Sequence, residues 1–123
     1  MNFVIEFYET ENKQCPVAEF LDSIADKKLL TKVLRDISFL EVNGHLLREP
    51  QSKSLSDGLF ELRTKQGTDI VRIIYFFFVG RKIVMTNGFV KKTQKTPERE
   101  RQRALQYRQD YLERHKGDGY HVV

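Results

Sequence analysis

Hydrophobic positions along this chain follow two rhythms. The run Phe3-Val4-Ile5-Glu6-Phe7-Tyr8 is rich in β-branched and aromatic residues and predicts a strand. The polar residues 9–14 end it, and Pro16 can open a helix in its first turn, where the missing N–H costs nothing. Val17, Phe20, Leu21 and Ile24 then recur at helical spacing. A second helix is predicted from about Asp26, with Leu29, Leu30, Val33, Leu34, Ile37 and Leu40 on one face and Gly44 as its stop. The short turn between them predicts an antiparallel helical hairpin that must bury its apolar stripe on another layer.

The second half of the chain supplies that layer. A loop with Pro50 and the turn Ser56-Asp57-Gly58 leads into three strand-like runs, residues 59–65, 70–78 and 82–89. Their connectors, Gln66-Gly67-Thr68-Asp69 and Val79-Gly80-Arg81, are short and carry glycine, so the runs form an antiparallel meander. Pro97 opens a last helix over about residues 98–114, expected to pack on the sheet through Ala104, Leu105, Tyr107, Tyr111 and Leu112. No repeat or linker divides the chain, so residues 1–123 are read as one α+β domain with 115–123 as a flexible tail.

Composition narrows the class. Nine Phe and five Tyr supply a core without Trp, and a 40% apolar share suits a folded domain. The single Cys15 cannot form an internal disulfide, and it stands beside Pro16 with no His nearby, which marks it as a partly buried bystander. The start lacks the pattern of a signal peptide, and the longest apolar run, residues 73–79, is too short to cross a bilayer. A cytoplasmic protein without membrane contact is expected.

Charge changes the picture further. The net charge is +4, and between Phe60 and Arg103 eleven basic side chains stand against four acidic ones. That segment therefore carries more than the whole excess, an electrostatic footprint for a polyanion.

Strand alternation decides which charges share a face. Phe60 and Leu62 point one way, and Glu61, Arg63 and Lys65 the other. Arg72, Ile74 and Phe76 share a face, opposite Val71, Ile73, Tyr75 and Phe77. With the helical hairpin on one side, the other side presents Arg63 beside Arg72, a floor of Ile74 and Phe76, and Lys91, Lys92 and Lys95 at the sheet's end. Such a cationic groove would suit the phosphates of a polyanion. Each feature has a plainer reading: Arg72 paired with Glu61 or Asp69, the lysines as a solvated loop, Tyr75 as packing, His45 as surface. No Cys/His cluster has metal-ligand spacing, and no Gly-rich phosphate loop or nucleophile elbow is present, so neither metal nor cofactor is expected.

The strings Gly58-Leu59-Phe60-Glu61-Leu62-Arg63, Val71-Arg72-Ile73-Ile74-Tyr75-Phe76 and Gly88-Phe89-Val90-Lys91-Lys92-Thr93-Gln94-Lys95-Thr96-Pro97 resemble the phage-derived HigB-like toxins of the RelE superfamily. The resemblance covers almost the whole chain. It implies a small twisted antiparallel sheet with an N-terminal helical hairpin on one face and a C-terminal helix. It also implies a type II toxin that cuts messenger RNA on the ribosome, held in check by a HigA-like helix-turn-helix antitoxin, with operator DNA contacted only through that complex. By position, the family's catalytic cations carry over to Arg63, Arg72 and one of Lys91 or Lys92. Lys65, Ile74, Phe76 and Lys95 become RNA contacts. Relatives often place a Tyr or His at the end of the sheet or on the last helix as acid or base. No His stands at the sheet's end here, and Tyr107, Tyr111 and Tyr120 match no such position.

The implied reaction is metal-independent attack of the RNA 2′-OH on the adjacent phosphate, with Arg63 and Arg72 stabilising the charge that develops. The rival readings are a non-catalytic nucleic-acid-binding module, such as a degenerate toxin that binds operator DNA with its antitoxin, and a purely structural domain.

Overall fold

The computed structural model describes residues 2–91 and 95–117. Chain order is β1 (Val4–Phe7), α1 (Pro16–Asp22), α2 (Lys27–Asn43), a 3₁₀ turn at Gly44–Leu46, β2 (Ser52–Ser54), β3 (Phe60–Gln66), β4 (Asp69–Phe78), β5 (Lys82–Lys91) and α3 (Glu98–Arg114). The five strands form one sheet in the order β1-β5-β4-β3-β2.

The fold is α+β, with two differences from the expected architecture. The sheet is mixed, because β1 pairs parallel to β5 while every other pair is antiparallel. Nor do α1 and α2 form a hairpin packed on itself: α1 lies mainly on β5 and α2 on β3. A seven-residue α1 has little surface to offer a neighbouring helix, and its buried Val17 and Leu21 join the sheet's core instead. β2, with the sequence Ser-Lys-Ser, has no apolar pattern to announce it.

Local chemistry fixes the helices. Asp26 caps α2, accepting from the backbone N–H groups of Lys28 (2.9 Å) and Leu29 (3.3 Å). Buried Asp36 accepts from Thr64 Oγ1 at 2.6 Å, which locks α2 to β3. α2 ends at Gly44, where φ is +54° and a side chain would run into the Phe3 ring.

The sheet buries both faces. One packs Leu62, Val71, Ile73, Tyr75, Ile83 and Met85 against α1 and α2. The other packs Leu59, Ile74, Phe76 and Val84 against Ala104 and Tyr111 of α3. At the β1 edge, Tyr8 donates to Asp110 at 2.5 Å and Arg114 grips the same carboxylate at 2.7 Å. Burial first, then the Asp110 carboxylate, pushes the Tyr8 phenol up to about 12.

Two outcomes follow from this packing. Gly44→Ala should lose about 2–4 kcal/mol through backbone strain and collision with Phe3, read as a lower urea midpoint with unchanged m. Because the Tyr8 pKa is raised on folding, its contribution to stability is complete below pH 10 and fades as pH climbs towards about 12. Tyr8→Phe should accordingly remove one late-titrating tyrosine from the tyrosinate absorbance titration, and a titration that loses only an early phase would contradict the Tyr8–Asp110 contact.

Candidate functional site

Three rows of side chains cross the sheet on the face turned away from α1 and α2, since residues directly opposite one another share a face. The first holds Lys53, Glu61, Ile74 and Asn87. The second holds Arg63, Arg72 and Phe89. The third, at the sheet's end, holds Lys65, Ile70 and Lys91.

A β-bulge makes this alignment possible. The β4–β5 register shifts between Ile74, opposite Asn87, and Tyr75, opposite Met85, which leaves Thr86 as an extra residue. One inserted residue exchanges the two faces for the rest of the strand. Phe89 and Lys91 thereby join the arginine face, and Gly88 turns towards α1. There a Cβ would sit 2.5 Å from the Phe20 ring, so only glycine allows α1 this close. Thr86 Oγ1 donates to the Ile74 carbonyl at 3.1 Å and to Asn87 Oδ1 at 2.6 Å, which satisfies the hydroxyl inside the bulge.

Arg63 and Arg72 are directly opposed, a like-charge pair that destabilises a sheet by itself. Glu61 compensates. Its Oε1 lies 3.4 Å from Arg63 Nε and 3.8 Å from Arg72 Nη1, and its Oε2 accepts from Thr96 Oγ1 at 2.5 Å. Glu61 and Arg72 are fully buried, and Arg63 is 8% exposed. Burial pulls the Arg72 guanidinium below the usual arginine value, Glu61 pushes it back up, and Arg63 adds to the fall. Arginine nevertheless keeps its proton at neutral pH. Two guanidinium groups and one carboxylate leave the cluster a formal charge of +1. Beside it, Asn87 Nδ2 donates to the Glu100 carbonyl (3.2 Å) and to Glu100 Oε1 (3.0 Å), which pins the start of α3 over β5.

The residues singled out in the sequence therefore separate. Arg63, Arg72, Lys65 and Lys91 share one face; Lys65 is exposed and Lys91 half-buried. Ile74 and Phe76 share that face too, but they are buried under α3 at 0% and 3% exposure, so they are core rather than an exposed floor. Lys95 is exposed on the loop that enters α3. Lys92, Tyr120 and the end of the expected tail lie outside the described residues. Tyr107 stacks on Tyr8, and Tyr111 donates to Glu6 at 3.1 Å, both at the β1 edge. His45 is exposed in the other layer, edge-on to Phe3. Among the described residues no group of His, Cys, Asp or Glu could hold a metal ion, and no helix is long and apolar enough to cross a membrane.

Glu61 bridges both arginines and is more than the possible partner for Arg72 that the sequence suggests. The signal was present, since alternation in Phe60-Glu61-Leu62-Arg63 puts the carboxylate on the arginine face. Lys53 gave none, because its position opposite Glu61 follows from a strand that has no apolar pattern.

Glu61→Gln should cost about 3–5 kcal/mol, the usual loss when one member of a buried ion cluster is removed. Added sulfate, at the same ionic strength as a chloride control, should raise the melting temperature more in the variant than in wild type. Equal responses would show that Glu61 is not the counter-ion of the arginine pair.

Comparison with curated proteins finds no match. The family model described as phage derived protein Gp49-like (DUF891) matches residues 19–109, from within α1 to within α3, and so spans the whole arginine cluster. This chain belongs to the Gp49-like family of phage-derived proteins.

Proposed function

We propose that this chain is a RelE-like toxin that cuts messenger RNA held on the ribosome, and that a HigA-like helix-turn-helix antitoxin silences it. The observation that carries this reading is the opposed, buried pair Arg63 and Arg72 around Glu61, on one face with Lys65 and Lys91. Gp49-like membership and the resemblance of the strand motifs to RelE-superfamily toxins support it.

A cluster of formal charge +1 matches one phosphodiester monoanion. When the RNA 2′-oxygen attacks the adjacent phosphorus, the phosphorane gains a second negative charge, so attraction to the arginines grows towards the transition state. The bond to the 5′-oxygen then breaks, which gives a 2′,3′-cyclic phosphate and a 5′-OH. One proton leaves the 2′-OH and one reaches the 5′-oxygen. Lys91 or Lys92 is the proposed proton carrier, and of these Lys91 stands on the arginine face. Arg72 is fully buried, so RNA reaches it only if the cluster opens, and the Thr96–Glu61 hydrogen bond is the contact proposed to give way. The ribosome's part is to hold the messenger bent, near the geometry of attack.

That same burial favours a second reading, in which the cluster only holds the fold and the chain binds nucleic acid without cutting it. Expression with and without the antitoxin, followed by mapping of messenger 5′ ends, separates the two. Cleavage should leave 5′-OH ends inside translated messages, and Arg63→Ala and Arg72→Lys should each slow it by ~10²–10³. Growth arrest without cut messenger would overturn the nuclease reading. Wild-type rates in both variants would overturn the site.

A further inference from the structure

A cavity of about 370 Å³ opens beside the arginine cluster, lined by Lys53, Ser56, Lys95, Thr96, Glu98 and Arg101. Four parts of the chain build it: edge strand β2, the loop that follows it, the loop into α3, and α3 itself. Thr96 stands between it and the cluster, lining the cavity while its hydroxyl donates to Glu61. Lys53 approaches from the other side, because the β2–β3 register sets it directly opposite Glu61.

The three cations are not equivalent. Arg101 is committed: Nη1 reaches Asp57 at 2.8 Å and Ser56 at 2.9 Å, and Nη2 reaches Glu98 at 2.7 Å. It forms a fixed wall whose charge is already balanced. Neither Lys53 nor Lys95 forms an ion pair with another described residue. Two ammonium groups on different elements thus flank one concave site, whose one carboxylate, Glu98, is bonded by Arg101 and also feels the charge of Lys95. Phosphate fits such a site, because lysine binds it as a point charge and needs no bidentate geometry.

We infer that Lys53 and Lys95 hold a second phosphate of single-stranded RNA, next along the strand from the phosphate on Arg63 and Arg72. The inference rests on the proposed function for the identity of the strand. Two phosphate sites, one lined by Thr96 and the other holding the Glu61 that Thr96 bonds, set the line along which the chain crosses the sheet. They leave the scissile linkage over the arginine pair, and the Leu55 side of the cavity supplies an apolar wall for a ribose or base.

The test has two arms. In the first, cleavage of messenger on programmed ribosomes is measured against toxin concentration and salt. The double variant Lys53→Ala/Lys95→Ala should raise the half-saturating concentration about tenfold, far more than it lowers the maximal rate. It should also flatten the salt dependence, since each lost contact to a single strand takes ~0.7 from the slope of log affinity against log salt. Lys53→Arg should restore most of the loss, and Lys28→Ala on the opposite layer should match wild type. In the second arm, the free protein with labelled lysines is titrated with a short single-stranded RNA, with inorganic phosphate as control. The Lys53 and Lys95 side-chain signals should move with RNA at lower concentration than with phosphate.

The two claims fail separately. Wild-type cleavage with a double variant of unchanged half-saturation and salt slope overturns the second phosphate site and leaves the nuclease intact. Lysine signals that move with RNA, in a protein that cuts nothing, uphold the site and overturn the nuclease. Signals that stay still with both ligands overturn the site outright.

Discussion

Two arginines opposed across neighbouring strands and removed from water need an anion between them. Each buried charge costs several kcal/mol in lost hydration, and their mutual repulsion adds to it. Glu61 meets that need from within β3 itself, two residues from Arg63 and diagonal to Arg72, with its second oxygen held by Thr96. Apolar residues of similar volume would serve stability as well or better. Three charges placed where an aliphatic core would do are therefore hard to account for by folding alone, and a phosphate-binding role gives them a use.

The rest of the sheet is arranged around that cluster. The bulge at Thr86 rotates the end of β5 so that Phe89 lies beside Arg72 and Lys91 follows on the same face. Gly88, carried by the same rotation to the far face, lets Phe20 of α1 approach closely. Asn87 then holds Glu100, which sets where α3 begins and hence how far it covers the sheet. The half of the face beneath α3 is apolar core, and the sheet's end beyond the buried arginines carries Lys65 and Lys91. One inserted residue in β5 thus couples the position of α1, the start of α3 and the identity of the charged face.

Periodicity made the regular elements legible. Apolar spacing and end signals such as Pro16, Asp26, Gly44 and Pro97 located the three helices, and alternation located β3, β4 and β5 within a few residues. The pairing of Arg63 with Arg72 was also readable, because hairpin geometry forces it. Three features escaped, each for a physical reason. Strand direction is not written in side-chain alternation, so the parallel pairing of β1 with β5 left no trace. The bulge carries no glycine or proline, and the Thr86 hydroxyl finds partners available only in the folded sheet. The covering of Ile74 and Phe76 depends on where α3 lands, which Asn87 and Tyr8 decide from far along the chain. Alternation thus placed Arg63 and Arg72 on one face, but it carried no information on how deeply each residue of that face is buried.

The segment entering α3 ties these threads together. Thr96 bonds the carboxylate that neutralises the arginine pair, and its neighbour Lys95 lines the adjoining cavity. Under the proposed function, a phosphate drawn to Lys95 pulls on the segment whose Thr96 bonds Glu61. Any binding energy spent on displacing Thr96 is repaid when the uncovered arginines meet the next phosphate, so occupancy of one site favours opening of the other. A mononucleotide can fill only one site and has nothing to offset the lost Thr96–Glu61 bond, whereas a strand fills both. Discrimination in favour of polymeric RNA would then come from the closed state itself, and the burial of Arg72 would be part of how the site selects its substrate.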